Sequence, residues 1–563
     1  MPCSGIHALL DLLAGCGVRY LFGNPGTTEL PLSDAMLAEE RIRYILGLQE
    51  IPVMAIADGY AQASQQLGVV NVHISCGLGN AMGMLYNAFR SHTPLLVTAG
   101  QQDRRLMFEE PILWGQMVEV ARPWTKWACE VARVEDLPTA VRRAVQAALT
   151  PPCGPVFLSI PLDVQMEIAE LDLTPPQLPN AEVRPPEAAL LRAAEVLAGS
   201  KNPVIVVGNR VCEAGAIDEL VTLAEALGAP VFHEPMTTHG RISFPPAHPL
   251  SAGALPLWSP QIRERLAEFD ALLAVGVKLL QLYIYREPAR AIPESLRLVQ
   301  IDESAWEIGK NYPVEVGLVG HPWPAMRELT ELLRRQMTAE QSRAAMLRGA
   351  ARGRMQQSDR GLLQREAREQ LATRPMTPLA AMEAVARVLP AEAAVVEESP
   401  TTTHAYLERT GTLCRPDGYF AQRGWALGWG LNCAIGVKLA WPERPVLGLI
   451  GDGSAMYGIQ GLWTAARYNI PVAFVICNNR EYRILKNCAK ILELPAATAD
   501  RFEGLDLTGP EIDFVGISQA MGVAAERVES PDALSESLRA AMSADSPRLI
   551  EVVVESPNSE LRA

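Results

Sequence analysis

Two apolar runs that end in polar tips limit this chain more than any other feature. Residues 445–450 (PVLGLI) stop at Gly451-Asp452-Gly453-Ser454, and residues 472–477 (VAFVIC) stop at Asn478-Asn479. Each run reads as a buried parallel strand, and Ile459, Leu462, Trp463 and Ala466 between them fall at the i, i+3, i+4, i+7 spacing of one helix face. The pattern predicts strand, one helix starting directly after GDG, and a second strand parallel to the first. Both strand ends then open on the same sheet edge, where ligands of doubly wound folds bind. There the Asp452 carboxylate and the Asn479 amide oxygen face a helix N-terminus. Hard oxygen ligands suit a magnesium ion, while the N–H groups of Gly453 and Ser454 and the helix dipole suit a diphosphate.

The strand–helix alternation extends along the chain. Residues 1–175 contain VRYLFG, YILGL, VVNVHIS, PLLVTAG and PVFLSIP with helical stretches between them, which predicts an α/β parallel-sheet domain. The proline-rich stretch 174–190 reads as a linker. A central α/β domain at 186–335 follows, with PVIVVG, APVFHE, ALLAVGV and LRLVQID as strands. Residues 336–372, rich in Ala, Arg, Gln and Glu, read as a helical connection with a solvated face, and a third α/β domain at 375–563 holds GDG and NN.

Composition removes several function classes. A formal charge of −14 argues against a nucleic-acid or anionic-membrane partner, since either needs a basic patch. No run approaches the roughly 18 apolar residues of a membrane span; residues 425–437 (WALGWGLNCAIGV) are too short, contain Asn432, and read as a buried helix. Ile6, Leu9, Leu10 and Leu13 with Asp11 among them make an amphipathic helix rather than an export signal. Ten cysteines form no CxxC pair, which fits a reducing cytoplasm, and eight histidines show no HExxH spacing for zinc.

GDG followed at this interval by NN resembles the thiamine-diphosphate motif. FGNPGTTELP (22–31), YILGLQE (44–50), ADGYAQ (57–62) and NVHISCGLGNAMG (71–83) occur in order, and together they resemble the thiamine-diphosphate-dependent decarboxylase and acetolactate-synthase superfamily, above all the benzoylformate decarboxylases. The resemblance implies three doubly wound parallel-sheet domains (pyrimidine-binding, central and diphosphate-binding), thiamine diphosphate and Mg2+ as cofactors, and a small 2-oxo acid as substrate. It further implies a homodimer or homotetramer with shared active sites.

Residue by residue, Glu50 matches the carboxyl that activates the cofactor's aminopyrimidine. From the residues alone it opens a helix carrying Val53, Ile56, Ala57 and Tyr60, where an acidic side chain could equally well just complement the dipole. Asp452 and Asn479 match metal ligands through their side chains and Glu481 through its backbone carbonyl; Gly453 and Ser454 match the diphosphate cradle; Leu427 matches the wedge between the cofactor rings. His73 ends the strand-like VVNVH just before SCGLGN, which reads as a glycine-containing loop, and matches a histidine that moves protons around the bound keto acid; Thr27 matches a serine that contacts the substrate carboxylate. The chain departs from the pattern in the middle, where Tyr283 aligns with a second active-site histidine that His233 or His239 could instead replace, and at Ile484, bulkier than its counterpart. The expected reaction is non-oxidative decarboxylation of a 2-oxo acid to an aldehyde and CO2. The alternatives are a carboligase or lyase that forms or cleaves 2-hydroxy ketones, and a silent protein that only binds the cofactor.

Overall fold

The computed structural model describes residues 2–235 and 240–555. Three six-stranded sheets, each wholly parallel, follow one another along the chain. The first runs in space Arg43–Leu46, Tyr20–Gly23, Gly68–Val72, Leu95–Gln101, Val156–Pro161, Trp127–Glu130. The central sheet runs Ser251–Ala254, Val231–His233, Pro203–Val207, Ala271–Val275, Arg297–Asp302, Val316–Val319. The last runs Tyr419–Ala421, Ala394–Glu398, Val446–Gly451, Ala473–Asn478, Arg548–Val553, Ala524–Val528. Their inner strands are near-continuous Val, Ile, Leu and Ala, buried on both faces by flanking helices, as parallel sheets require. Each sheet has a strand-order reversal next to its first strand in sequence, Tyr20–Gly23, Pro203–Val207 and Ala394–Glu398 respectively, which leaves a crevice at the strands' carboxyl ends, and the first and last sheets turn back a second time at their far edge. The stretch read as a helical connection is one helix, Ala339–Glu369, started by a reciprocal Thr338–Gln341 cap.

Two local expectations need correction. The segment after GDG is not one helix but two, Asp452–Ala455 and Gly461–Arg467. Buried Asn432 forces the break: its amide donates to the carbonyls of Gly428 and Gly458 at 2.9 Å each, and a Cβ on Gly461 would lie 1.8 Å from its Oδ1. A four-residue turn has little macrodipole, so the N–H groups of that turn, rather than a long helix, are what a diphosphate would meet. The glycine-containing SCGLGN stretch, expected as a loop, is the start of helix Ile74–Ser91, capped by His73. Residues 425–437 do supply a buried helix, Trp429–Ala440.

That helix ties the first domain to the last. It crosses helix Glu50–Ser64 so closely that a Cβ on Gly59 would stand 2.3 Å from the Cys433 carbonyl oxygen, and one on Gly436 would stand 1.9 Å from that of Ile56. Trp429 Nε1 donates to buried Asp58 at 2.6 Å, and Leu46 exchanges hydrogen bonds with Tyr468 and Thr464. Arg241 joins all three domains, donating to the carbonyls of Gln62, Asp417 and Tyr419 while stacking over Phe420. Beneath the N-terminus of Trp429–Ala440, buried Glu398 accepts from Gly430 N at 2.8 Å and Trp429 N at 3.3 Å. Desolvation outweighs these bonds and pushes its carboxyl up to about 8.

The crossing makes Gly436→Ala a costly change: the methyl meets backbone on both sides, and denaturant unfolding should show a loss of about 1–3 kcal/mol. Gly361→Ala, on the exposed helix Ala339–Glu369, should instead gain about 0.5–1 kcal/mol in the same assay. Glu398 has its own signature. Its folded-state pKa is raised, so its contribution is fully present below the ordinary carboxylate range and lost as pH rises to about 8. Glu398→Gln removes that proton linkage, so its stability relative to wild type should improve steadily from about pH 5 to about pH 8, measured by denaturant titration across that window.

Candidate active site

The first sheet's reversal crevice is built from two strand ends. Strand Tyr20–Gly23 runs into Asn24-Pro25-Gly26, and strand Gly68–Val72 ends at His73. Gly26 lies flat on the imidazole, where a Cβ would come within 1.9 Å of Nδ1. His73 Nδ1 stands 2.8 Å from Oε2 of Glu29, a buried carboxylate that also accepts from Gly26 N at 3.1 Å, Thr28 Oγ1 at 2.8 Å, Gly100 N at 2.8 Å and Ile74 N at 3.3 Å. With those four donors on its oxygens, Glu29 is placed as the acceptor for Nδ1–H, which leaves Nε2 as the working nitrogen of a one-fifth exposed ring. Ile74, held by the same carboxylate, has φ 29°, a left-handed value that a β-branched residue rarely adopts.

Glu50 is the first residue of helix Glu50–Ser64 and is buried. Asn80 donates to its Oε2 at 3.1 Å. Gly77 separates it from His73: a Cβ there would lie 2.7 Å from Glu50 Oε1 and 3.3 Å from His73 Cβ. One glycine therefore brings the two expected functional side chains together. Thr27 is exposed on the short turn Thr27–Glu29, on the same crevice.

At the last sheet's edge, Asp452 and Asn479 directly follow paired strands, with Gly451 opposite Cys477. Asp452 is buried, accepts from its own Gly453 N at 2.8 Å and from Arg480 N at 2.7 Å, and makes no ion pair among the described residues. Burial, with neighbouring Glu481 adding to it, pushes its carboxyl up to about 6. Asn479 is half-buried, and its Oδ1 accepts from Glu481 N at 3.1 Å. The Glu481 carboxylate is committed to Lys486 at 2.5 Å and to Arg483, leaving the backbone as its contribution to the edge. Gly453 lies under the Tyr482 ring, Ser454 is half-buried, and half-buried Leu427 immediately precedes Gly428. An unpaired buried carboxylate beside an amide oxygen is a donor set that a magnesium ion fits, since the ion supplies the countercharge that the protein lacks.

Tyr283 arrives from the central domain. Its ring stacks on Trp425 with centroids 5.6 Å apart at 26°, and its hydroxyl meets Cys488 of helix Arg483–Ile491, the helix that also carries half-buried Ile484. The aligned middle-domain position thus does reach the loop leading to Leu427. His233 does not: it is buried, its Nδ1 lies 3.1 Å from Glu408 and its Nε2 accepts from Ser243 N at 3.2 Å, so neither nitrogen is available. His239 lies outside the described residues. Glu29, Gly77 and Asn80 were not singled out by sequence reasoning. The only available sign of Glu29 was its place in GNPGTTE, six residues after a strand end.

The chain is similar along its whole length to known proteins. Three family models match in succession: the N-terminal TPP binding domain of thiamine pyrophosphate enzymes at residues 4–110, their central domain at 190–329 and their C-terminal TPP binding domain at 401–552. Benzoylformate decarboxylase of Pseudomonas aeruginosa is 36% identical over 548 residues, 97% of this chain and 98% of that protein. A probable 2-ketoarginine decarboxylase of the same organism is 30% identical, over 97% of this chain and 93% of that protein. Among solved structures, the thiamine diphosphate-dependent 4-hydroxybenzoylformate decarboxylase of Rhodococcus jostii superposes with a TM-score of 0.87 at 31% identity, covering 99% of this chain and 100% of that one. With three matching domains and full-length relatives, this chain belongs to the thiamine pyrophosphate-dependent enzymes and groups there with the 2-oxo acid decarboxylases.

Proposed function

We propose that this chain is a magnesium- and thiamine-diphosphate-dependent enzyme that decarboxylates a 2-oxo acid without net oxidation, releasing CO2 and an aldehyde. The observation that carries the reading is the juxtaposition of Glu50 and His73 across Gly77, with Glu29 anchoring the imidazole. Mere retention of a cofactor needs neither a buried carboxyl nor an oriented histidine. When bound, thiamine diphosphate supplies a nucleophilic carbon and a cationic ring that takes up the electron pair left by CO2.

The protein's part is binding and proton traffic. Asp452 and Asn479 side chains and the Glu481 carbonyl would hold the metal, the N–H groups of Gly453 and Ser454 the diphosphate, and Leu427 the fold between the cofactor rings. Glu50, desolvated in its pocket, would hold the aminopyrimidine in its basic form. Thr27 offers its hydroxyl to the substrate carboxylate, and His73 hands protons on and off substrate oxygen and carbon through Nε2. Exposed apolar side chains flank both edges: Leu48 beside Glu50, and Met456 and Tyr457 beside the Asp452 turn. Their exposure supports a homodimer or homotetramer in which a second copy completes each site, and ten free cysteines fit a cytoplasmic setting.

One observation favours carboligation as a second activity. Tyr283 stands where the resemblance puts a second proton-carrying histidine, and burial raises its hydroxyl above the ordinary tyrosine range, which would leave it unable to shuttle protons near neutrality. A site with one proton carrier fewer would leave more time for a second aldehyde to enter and react.

Glu50→Gln should retain cofactor yet lose most hydrogen–deuterium exchange at the thiazolium carbon, followed by NMR; exchange at the wild-type rate would remove the proposed role. Asp452→Ala and Asn479→Ala should each weaken magnesium and thiamine diphosphate together in calorimetric titrations, and tight cofactor binding in the presence of chelator would contradict the metal site. His73→Ala should leave exchange intact but slow CO2 release by roughly a hundred- to ten-thousandfold, whereas Tyr283→Phe should change it little. The opposite ranking would move the proton chemistry to the central domain.

A further inference from the structure

Strand Arg548–Val553 carries one residue that its surroundings do not call for. The strand lies inside the last sheet, between Ala473–Asn478 and Ala524–Val528, and between Ile550 and Val552 it buries Glu551 at 2% exposure. A carboxyl group in such a place is costly unless its partners offset the lost water. Two polar groups reach it. Asn478 Nδ2 donates to Glu551 Oε1 at 2.7 Å, and Arg527 Nη2, from the edge strand, lies 3.4 Å from the same oxygen.

From there the contacts close into a ring around the metal loop. With its amide nitrogen held by Glu551, Asn478 turns Oδ1 to the Arg480 backbone and accepts from Arg480 N at 3.1 Å; the same N–H donates to Asp452 Oδ2 at 2.7 Å. The Arg480 side chain leads away to Glu511 at 3.4 Å, and Glu511 returns to Arg527 at 3.8 Å. Asn479, between Asn478 and Arg480, is thus held at both flanks. Arg480 has φ 61°, a left-handed value that costs any residue with a Cβ and persists only where the surroundings enforce it. Here the strain aims one N–H at Asp452. Residues 505–507 grip the turn from the other side, Leu507 N donating to Arg480 O at 2.7 Å and Tyr482 N to Leu505 O at 2.8 Å. The arc through Glu511 is exposed and weak, so the buried link from Glu551 to Asn478 carries the ring.

We propose that Glu551 is a positioning residue for the metal edge: by holding Asn478 it fixes the strained Arg480 turn, and with it Asp452 and Asn479, in the arrangement that a divalent cation requires. The inference rests on the metal-site reading above and adds to it a residue from another strand that acts through Asn478.

The test is calorimetric titration of magnesium into the full-length protein in excess thiamine diphosphate, with hydrogen–deuterium exchange at the thiazolium carbon followed as magnesium is raised. Glu551→Leu suits the apolar strand but leaves Asn478 without its acceptor, and should weaken magnesium roughly tenfold. Exchange at saturating magnesium should nevertheless return to the wild-type rate, because the variant loses placement and not chemistry. Glu551→Gln, which keeps an acceptor for Asn478, should recover most of the affinity. Arg480→Gly keeps the N–H and relieves the strain. It should leave the Tm of the metal-free protein unchanged or higher and yet weaken magnesium by about two- to fivefold, since a looser turn must then be ordered on binding; a merely structural role would move both readouts the same way. Wild-type magnesium affinity in folded Glu551→Leu overturns the proposal, and so does wild-type affinity in Arg480→Gly, which decides the matter if Glu551→Leu does not fold. Absence of magnesium binding by the wild type removes the metal-site reading itself, and this inference with it.

Discussion

The bare-backbone contact between helices Glu50–Ser64 and Trp429–Ala440 sets where the chemistry can be. Gly59 and Gly436 let each helix reach the other's carbonyls, and no side chain intervenes to loosen the fit. The first helix begins at Glu50, and the second begins two residues beyond Leu427. Fixing the crossing therefore fixes both starting points, and the hydrogen bonds from Trp429 to Asp58 and from Arg241 to three segments hold the domains in register around it. The fold itself is shared with many unrelated activities; the strand ends distinguish this chain.

Four buried carboxyl groups show how environment divides labour. Glu29 is surrounded by donors and anchors the His73 ring. Glu50 has an amide neighbour, a glycine wall and a desolvated pocket, which suit it to hold a heterocyclic nitrogen. Asp452 is pushed up to about 6 and has no ion pair among the described residues, which suits a metal that restores its charge. Glu398, pushed up to about 8, is spent on a helix N-terminus. Residue type alone separates none of these; the count and charge of the neighbours separate them all.

Much of this was legible in the chain because parallel strands buried on both faces are continuous apolar runs, and the residues that end them are the ones that meet ligands. Asp452, Asn479 and His73 could be placed for that reason, and Glu50 because it precedes a helical apolar face. What escaped notice depended on distant partners. The break between Ala455 and Gly461 is imposed by Asn432, and nothing within the segment announces it. SCGLGN reads as a loop because glycines weaken helix propensity, but Gly77 is there to make room for Glu50. Glu29 resembles an ordinary first-turn acid until Gly100 and Ile74, from two other strand ends, are folded onto it. His233, an open candidate in the sequence, is closed off by Glu408 and Ser243.

The most direct test of the central claim is product analysis with a panel of aromatic, branched and short 2-oxo acids, each incubated with enzyme, thiamine diphosphate and magnesium. The account predicts CO2 and the corresponding aldehyde in equal amounts from at least one acid, with no product when either cofactor is withheld. Cofactor-dependent formation of 2-hydroxy ketones with little free aldehyde would contradict it, as would complete inactivity across the panel from enzyme shown to hold its cofactor.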